Sequence, residues 1–333
     1  MSKEQRLVEF KLLVTQGKGI DDIIKILSIS ERTYYNYLKQ IDYTTTITKP
    51  KPLVSIKDLK EIRRKVFKHK QLKEEYYNSN KYVMTSNLPI GILHLGDLHL
   101  DSDGVDLDLV DYHINLLRKT EGLYGGNLGD STNNWVGFLG KLYGEQHTTI
   151  DESIDLLKEY LHDTNFLYTI IGNHDNWNNG SHIIHNVINT GMVGEDIRLT
   201  IEFPNNTTTT IHARHNFVGN SMYNPAHGAV KVALTQSRDD IVIHGHKHSL
   251  GYSVVSDSER RKLLHCISVG SYKQIDSYKT MMGFRDDNLS PAVVTIINPL
   301  LEERHVDRIK VFFDVDEGVK YLNYLRTNNN NLK

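Results

Sequence analysis

Leu7, Phe10 and Val14 recur at helical spacing before Gly17, and Ile20, Ile23, Ile24 and Leu27 repeat the i, i+3, i+4, i+7 pattern of a one-sided apolar helix. After the short turn Ser28-Ile29-Ser30 the same spacing returns in Tyr34, Tyr37, Leu38 and Ile41, with Ser30 placed to cap a third helix. Residues 42 to 56, with a Thr run and Lys49-Pro50-Lys51-Pro52, oppose both helix and central strand and read as a linker. Residues 57 to 86 are expected to carry a basic helix, its charge in Lys57, Lys60, Arg63, Arg64, Lys65, Lys68 and Lys70. From Leu88 the pattern changes to short apolar runs separated by helical stretches: Ile90 to Leu95, Gly122 to Leu128, Phe166 to Ile171, Thr208 to Arg214, Asp240 to His244 and Ala292 to Ile297. That alternation predicts an α/β core with polar residues gathered at strand ends.

Composition narrows the class. At 333 residues, with 39% apolar and 24% charged positions, the chain is long enough for a sizeable core and is neither collagenous nor of low complexity. No stretch matches a membrane span, and Met1-Ser2-Lys3-Glu4-Gln5-Arg6 lacks a signal-peptide apolar region, so a cytoplasmic protein with no membrane partner is expected. The single cysteine, Cys266, excludes an intramolecular disulfide and a thiolate-rich metal site. Charge is uneven: residues 1 to 82 hold 18 Lys and Arg against 10 Asp and Glu, while the remainder holds 21 against 31. A basic first segment on an acidic body points to a polyanion partner for the former and to cations or chemistry in the latter. Residues 1 to 41 resemble a helix-turn-helix module, whose third helix would offer Arg32, Thr33, Asn36 and Lys39 to a DNA groove; a small protein-contact module is the plainer alternative.

The chemistry lies where the apolar runs end. Leu95 is followed by Gly96-Asp97-Leu98-His99, Leu128 by Gly129-Asp130, Ile171 by Gly172-Asn173-His174-Asp175, Arg214 by His215, and Ile243 by His244-Gly245-His246-Lys247-His248. Carboxylate, amide oxygen and imidazole suit hard or borderline divalent metals. Glycine before a ligand is expected to let the backbone turn sharply there. In order and spacing these blocks resemble those of the calcineurin-like metallophosphoesterase superfamily, over roughly Ile90 to Pro299.

That resemblance implies an α/β sandwich of two mixed sheets flanked by helices, over residues 87 to 333, preceded by the small all-α module. It also implies two divalent ions, Mn²⁺ first, with Mg²⁺, Fe²⁺ or Zn²⁺ as alternatives. Asp97, His99, Asp130 and His248 would hold one and Asp130, Asn173, His215 and His246 the other, with a hydroxide shared between them as nucleophile and His174 as general acid. His212, His215 and His227 all fall in the interval for the isolated histidine, and His215 fits best because it follows a strand. His94 and His244, inside apolar runs, read as hydrogen-bonded structural histidines, and Trp135 and Trp177 as groove-lining or packing residues. Many relatives place a carboxylate three positions after the bridging Asp to orient the catalytic His; here Asn133 stands there, offering its amide.

The wording of the blocks and the basic N-terminal part favour a DNA nuclease. A phosphodiesterase for small cyclic or dinucleotide substrates, or a DNA-binding regulator with a metal-sensing domain, are the other readings, and a homo-oligomer stays open. Asn220, Ser221, Tyr223, Asn224 and His227, and Ser271, Tyr272, Lys273 and Tyr278, are candidates for contact with a bound strand.

Overall fold

A computed structural model of the chain describes residues 2–40, 55–78, 80–275 and 290–329. Ile41, Tyr278 and all but the last two residues of the expected linker lie outside them. The chain divides into two compact units, residues 1–66 and 67–333. Among the described residues no helix is long and apolar enough to cross a membrane.

The first unit contains α1 (Lys3–Thr15), α2 (Ile20–Leu27) and α3 (Glu31–Leu38). Their apolar faces meet in a small core of Phe10, Leu13, Ile23, Leu27 and Tyr37, where Phe10 packs edge-on against Tyr34 and Tyr37. Ser28 turns the chain at φ 49°, and the Ser30 hydroxyl accepts the Thr33 N–H at 3.2 Å, capping α3. Arg32, Asn36 and Lys39 stand exposed, while Thr33 is half-buried with its hydroxyl 2.9 Å from that of Ser30.

The basic helix, α4 (Ile56–Asn78), is shorter than the expected 57 to 86. Residues Asn80–Val83 instead form β1, an edge strand of the larger unit whose alternate positions, Lys81 and Val83, face solvent. A four-residue, half-exposed edge strand leaves too few buried positions to show an apolar run. Nor is α4 a purely charged face, since Leu59, Ile62 and Val66 are also exposed along it.

The strands that follow are β2 (Ile90–Leu95), β3 (Leu123–Asn127), β4 (Phe166–Ile170), β5 (Met192–Gly194), β6 (Asp196–Glu202), β7 (Thr208–Arg214), β8 (Ile241–His244), β9 (Gly251–Asp257), β10 (Lys262–Ser268), β11 (Val293–Ile297) and β12 (Ile309–Phe312). With them come the helices α5 (Leu107–Lys119), α6 (Ile150–Leu161), α7 (Asn173–Asn176), α8 (Gly180–Val187), α9 (His227–Val232) and α10 (Val315–Asn329). They build two six-stranded mixed sheets, ordered β1-β6-β7-β8-β10-β9 and β12-β11-β2-β3-β4-β5. Ile90 and Ile92 of one sheet and Ile211, Ala213, Ile241 and Ile243 of the other share the core between the layers. The outer face of the second sheet buries Leu93, Leu95 and Ile296 against Val110, Ile114 and Leu117 of α5, Leu157 of α6 and Leu322 of α10; α9 covers Val242 and Cys266 on the first. Central strands buried on both faces read as continuous apolar runs, which is why they stood out in the sequence.

His94 is fully buried on β2, its Nδ1 2.6 Å from the Tyr168 hydroxyl and its Nε2 2.8 Å from Thr295 Oγ1. Burial pushes its pKa down to about 3, from 6.5. A folded-state pKa below the unfolded one means that the unfolded chain takes up the proton first as pH falls. The stability that His94 contributes is therefore full above about pH 6.5 and declines as pH falls toward 3. The melting midpoint of the wild type should drop across that window more steeply than that of His94→Gln; parallel profiles would show that His94 is not held neutral.

Candidate metal centre

Asp97, Asp130 and Asn173 follow β2, β3 and β4, which run parallel in one sheet, and His215 and the His246/His248 pair follow β7 and β8, parallel in the other. All five strands therefore deliver their carboxyl ends to one edge of the sandwich, where backbone leaves the hydrogen-bond ladder and side chains can converge.

Among the described residues three groups result, each with its potential ligand atoms within 4.8 Å of one another: Asp97, His99 and His248; His99, Asp130 and His174; Asp130, His215 and His246. Asp130 links two of them. Its Oδ1 accepts the His174 N–H at 2.9 Å, and its Oδ2 lies 3.0 Å from His215 Nε2 and 3.9 Å from His174 Nε2. Asp97 Oδ2 accepts the His246 N–H at 2.7 Å, whereas Asp97 Oδ1, 3.4 Å from His248 Nε2, is buried without a hydrogen-bond partner. Asn173 Oδ1 is likewise buried and unpartnered. His99 Nε2 approaches His248 Nε2 at 3.3 Å, and His215 Nε2 approaches His246 Nδ1 at 3.1 Å.

Converging imidazole nitrogens beside orphaned carboxylate and amide oxygens form a donor set without enough protons, which fits divalent cations. His215 is held as a ligand should be: Nδ1 donates to the Leu128 carbonyl at 2.7 Å, leaving Nε2 directed at Asp130. His212, the competing candidate, is engaged elsewhere, with Nε2 2.7 Å from Asp196 Oδ1, and His227 is exposed at the start of α9.

Electrostatics favour positive charge in front of Asp130. Burial alone would raise its pKa, but His215, His174 and His99 hold the carboxyl below the usual carboxylate range. Burial opposes protonation of His215, yet Asp130 overcomes it and carries the imidazole up to about 9. His99 is depressed, first by burial and then by His174 and His248.

The backbone at the site departs from expectation. Gly129 has φ 92°, but elsewhere the left-handed torsions fall on the candidate ligands themselves: Asp97 (49°), His99 (44°), Asp130 (52°), His246 (67°) and His248 (50°). Each costs ~1–2 kcal/mol for an L-residue, and such strain collects where it positions functional groups. Gly172 and Gly245 are needed for room instead: a Cβ on Gly172 would sit 2.1 Å from Asp130 Oδ1, and one on Gly245 2.6 Å from Asp97 Oδ2.

His174 stands in an aromatic cradle, its ring centroid 5.1 Å from that of Trp135 and 4.3 Å from that of Trp177. Asn134 Nδ2 donates to the carbonyls of His174 and Trp177 at 2.9 and 2.6 Å. The orienting role expected of the Asn133 amide is taken by its backbone: His174 Nδ1 donates to the Asn133 carbonyl, while Asn133 Nδ2 donates to Gln146 Oε1 at 3.1 Å.

Other expected contacts move inward. Ser271 Oγ donates to the Asp97 carbonyl at 2.8 Å, and the Tyr272 hydroxyl lies 2.6 Å from His113 Nδ1; both residues are fully buried, which removes them from any strand-contacting surface. Lys273, also buried, places Nζ 5.6 Å from the Trp135 ring centroid. Asn224 donates to Ser253 Oγ, while Tyr223 is exposed. His244 is buried, its Nδ1 2.9 Å from the Gly245 carbonyl oxygen.

Asp175 was missed as a structural residue. Its carboxylate accepts the N–H groups of Asp130 (2.8 Å), Ser131 (2.9 Å) and Gly172 (3.0 Å), tying two ligand loops together. Burial and the adjacent Asp130 charge push it up to about 7 against those donors. Its place in Gly-Asn-His-Asp was the only signal for it.

No family model matches the chain. No curated protein matches it either. Among solved structures it is similar to a predicted phosphoesterase from Streptococcus pneumoniae TIGR4, with 14% identity over 68% of this chain and 98% of that one, TM-score 0.32. The calcineurin-like phosphoesterase YfkN from Bacillus subtilis is 10% identical over 73% and 97%, TM-score 0.38. The Haemophilus influenzae NAD nucleotidase is 11% identical over 68% of this chain, which spans about half (49%) of that protein, TM-score 0.38. The sequence blocks stand at the carboxyl ends of strands in two mixed six-stranded sheets flanked by helices, which is the α/β sandwich expected from the sequence.

Proposed function

We propose that the chain is a phosphodiesterase that works with two divalent cations and cleaves DNA. The observation that carries the hydrolase reading is the convergence of Asp97, His99, Asp130, Asn173, His215, His246 and His248 at one sheet edge, with orphaned oxygens on Asp97 and Asn173 and with His174 beside them. Such ions, Mn²⁺ foremost, supply when bound a water nucleophile near neutral pH and neutralisation of phosphate charge. The chain's own part is to hold the ligands, to exclude bulk water with the two tryptophans, and to deliver a proton. His174 Nε2 gives its proton to the departing ester oxygen as the P–O bond breaks, while Nδ1–H stays on the Asn133 carbonyl.

DNA is favoured over a small nucleotide by the surplus of positive charge in residues 1 to 82 and by exposed Arg32 and Asn36 on one short helix with exposed Lys39 at its C-cap. The full-length double variant Arg32→Glu/Lys39→Glu tests this. With Mn²⁺ present it should hydrolyse a small chromogenic phosphodiester as the wild type does, but bind and cut linear DNA more weakly. Its affinity should also fall less steeply with salt, because fewer counterions are released. Equal DNA cleavage with an equal salt slope would favour the small-nucleotide reading.

A further inference from the structure

The carbonyl that orients His174 belongs to a residue held at several points. Asn133 is buried, and its N–H donates to Asp101 Oδ1 at 2.7 Å. Its Nδ2 donates to Gln146 Oε1 at 3.1 Å, and Gln146 Nε2 returns to Asp101 Oδ2 at 3.2 Å. Ser153 Oγ, on α6, donates to the Thr149 carbonyl at 2.8 Å and stands 3.4 Å from the same Asp101 oxygen. Asp101 is itself buried, two residues past His99, between positions that carry the site and a helix that carries the core. A buried carboxylate accepting two donors from separate segments is a rigid anchor, since charge-assisted hydrogen bonds are the strong ones and an unmade one is costly.

We infer that Asp101 is a positioning residue for the general acid: through Asn133 it fixes the carbonyl that receives His174 Nδ1–H, and so aims Nε2 at the departing oxygen. This rests on the general-acid reading of His174. Asn133 stands where many relatives place a direct carboxylate partner for the His, and Asp101 supplies a carboxylate at one remove, accepting the Asn133 N–H while the Asn133 carbonyl receives His174 Nδ1. The negative charge thus steadies the loop without touching the imidazole. Gln146 closes a ring through both residues, so Asp101 and Gln146 should act together.

The test compares the full-length, Mn²⁺-loaded wild type with Asp101→Ala, Asp101→Asn, Gln146→Ala and His174→Ala. Each is assayed on a nitrophenyl phosphodiester, whose leaving group needs no proton, and on a dinucleotide, whose leaving alkoxide does. Asp101→Ala should lose about 10- to 100-fold in kcat on the dinucleotide, the usual cost of removing an outer-shell partner. Its KM, its activity on the nitrophenyl ester and its metal content should stay close to wild type. Asp101→Asn keeps an acceptor oxygen for the Asn133 N–H and should recover most of the loss, and Gln146→Ala should show a smaller loss of the same selectivity. If Asp101→Ala does not fold, Gln146→Ala and Asp101→Asn still report on the same contacts. Equal losses on both esters, or Gln146→Ala and Asp101→Asn both indistinguishable from wild type on the dinucleotide, would overturn the proposal. Should His174→Ala itself lose equally on both esters, the general-acid reading falls first and this proposal with it. If only His174→Ala discriminates between the esters, Asp101 alone is refuted.

Discussion

Asp130→Asn should lower phosphodiester hydrolysis by at least about 1,000-fold, the consequence of losing several kcal/mol of transition-state stabilisation at a metal site. Asp130 is the side chain shared between the His99/His174 group and the His215/His246 group. As an amide it would place N–H hydrogens where imidazole nitrogens already converge, and it would remove the negative charge that favours a cation there. Metal content measured on the purified variant should fall below that of the wild type. A chelator should silence the wild type in the same way, and Mn²⁺ should restore the wild type but not the variant. A variant that keeps both its metal content and its turnover would show that Asp130 does not bridge two ions.

His174→Ala separates binding from chemistry. The His174 side chain lies in the aromatic cradle of Trp135 and Trp177, and the buried oxygens of Asp97 and Asn173 do not depend on it. The variant should therefore retain its metal content yet lose about 100- to 10,000-fold on substrates with alkoxide leaving groups, the usual contribution of a general acid. With nitrophenolate as leaving group the loss should be much smaller. Loss of metal along with activity would make His174 a ligand, which its place in the group with His99 and Asp130 allows geometrically.

Much of the core was legible because burial on both faces writes itself as uninterrupted apolar residues: Ile90 to Leu95, Phe166 to Ile171 and Ala292 to Ile297 each coincide with a strand to within a residue. The ligand series was legible for a related reason. Each candidate stands at or just past the end of an apolar run, so the blocks holding Asp97, His99, Asp130, Asn173, His246 and His248 could be located locally, while the roles expected of them came from the family resemblance. Edge strand β1 was not, because half of its short length faces solvent and its lysine continued the charge pattern of α4.

What the sequence determined by itself was the identity and order of the groups that could hold cations, and the strand ends that would carry them. Only the tertiary structure decided which oxygens and nitrogens those groups present. The choice of His215 over His212 depends on the Leu128 carbonyl, 87 positions away, and on Asp196 on the neighbouring strand. His174 Nδ1 meets the Asn133 backbone carbonyl and not its amide, whose Nδ2 is held by Gln146, and Asp101 accepts the Asn133 N–H and Gln146 Nε2. Hydrogen bonds of this kind join residues 13 to 87 positions apart, and one-dimensional spacing carries no trace of them. They exist only once the sheets have brought their carboxyl ends to a common edge and burial has made an unpaired donor or acceptor costly.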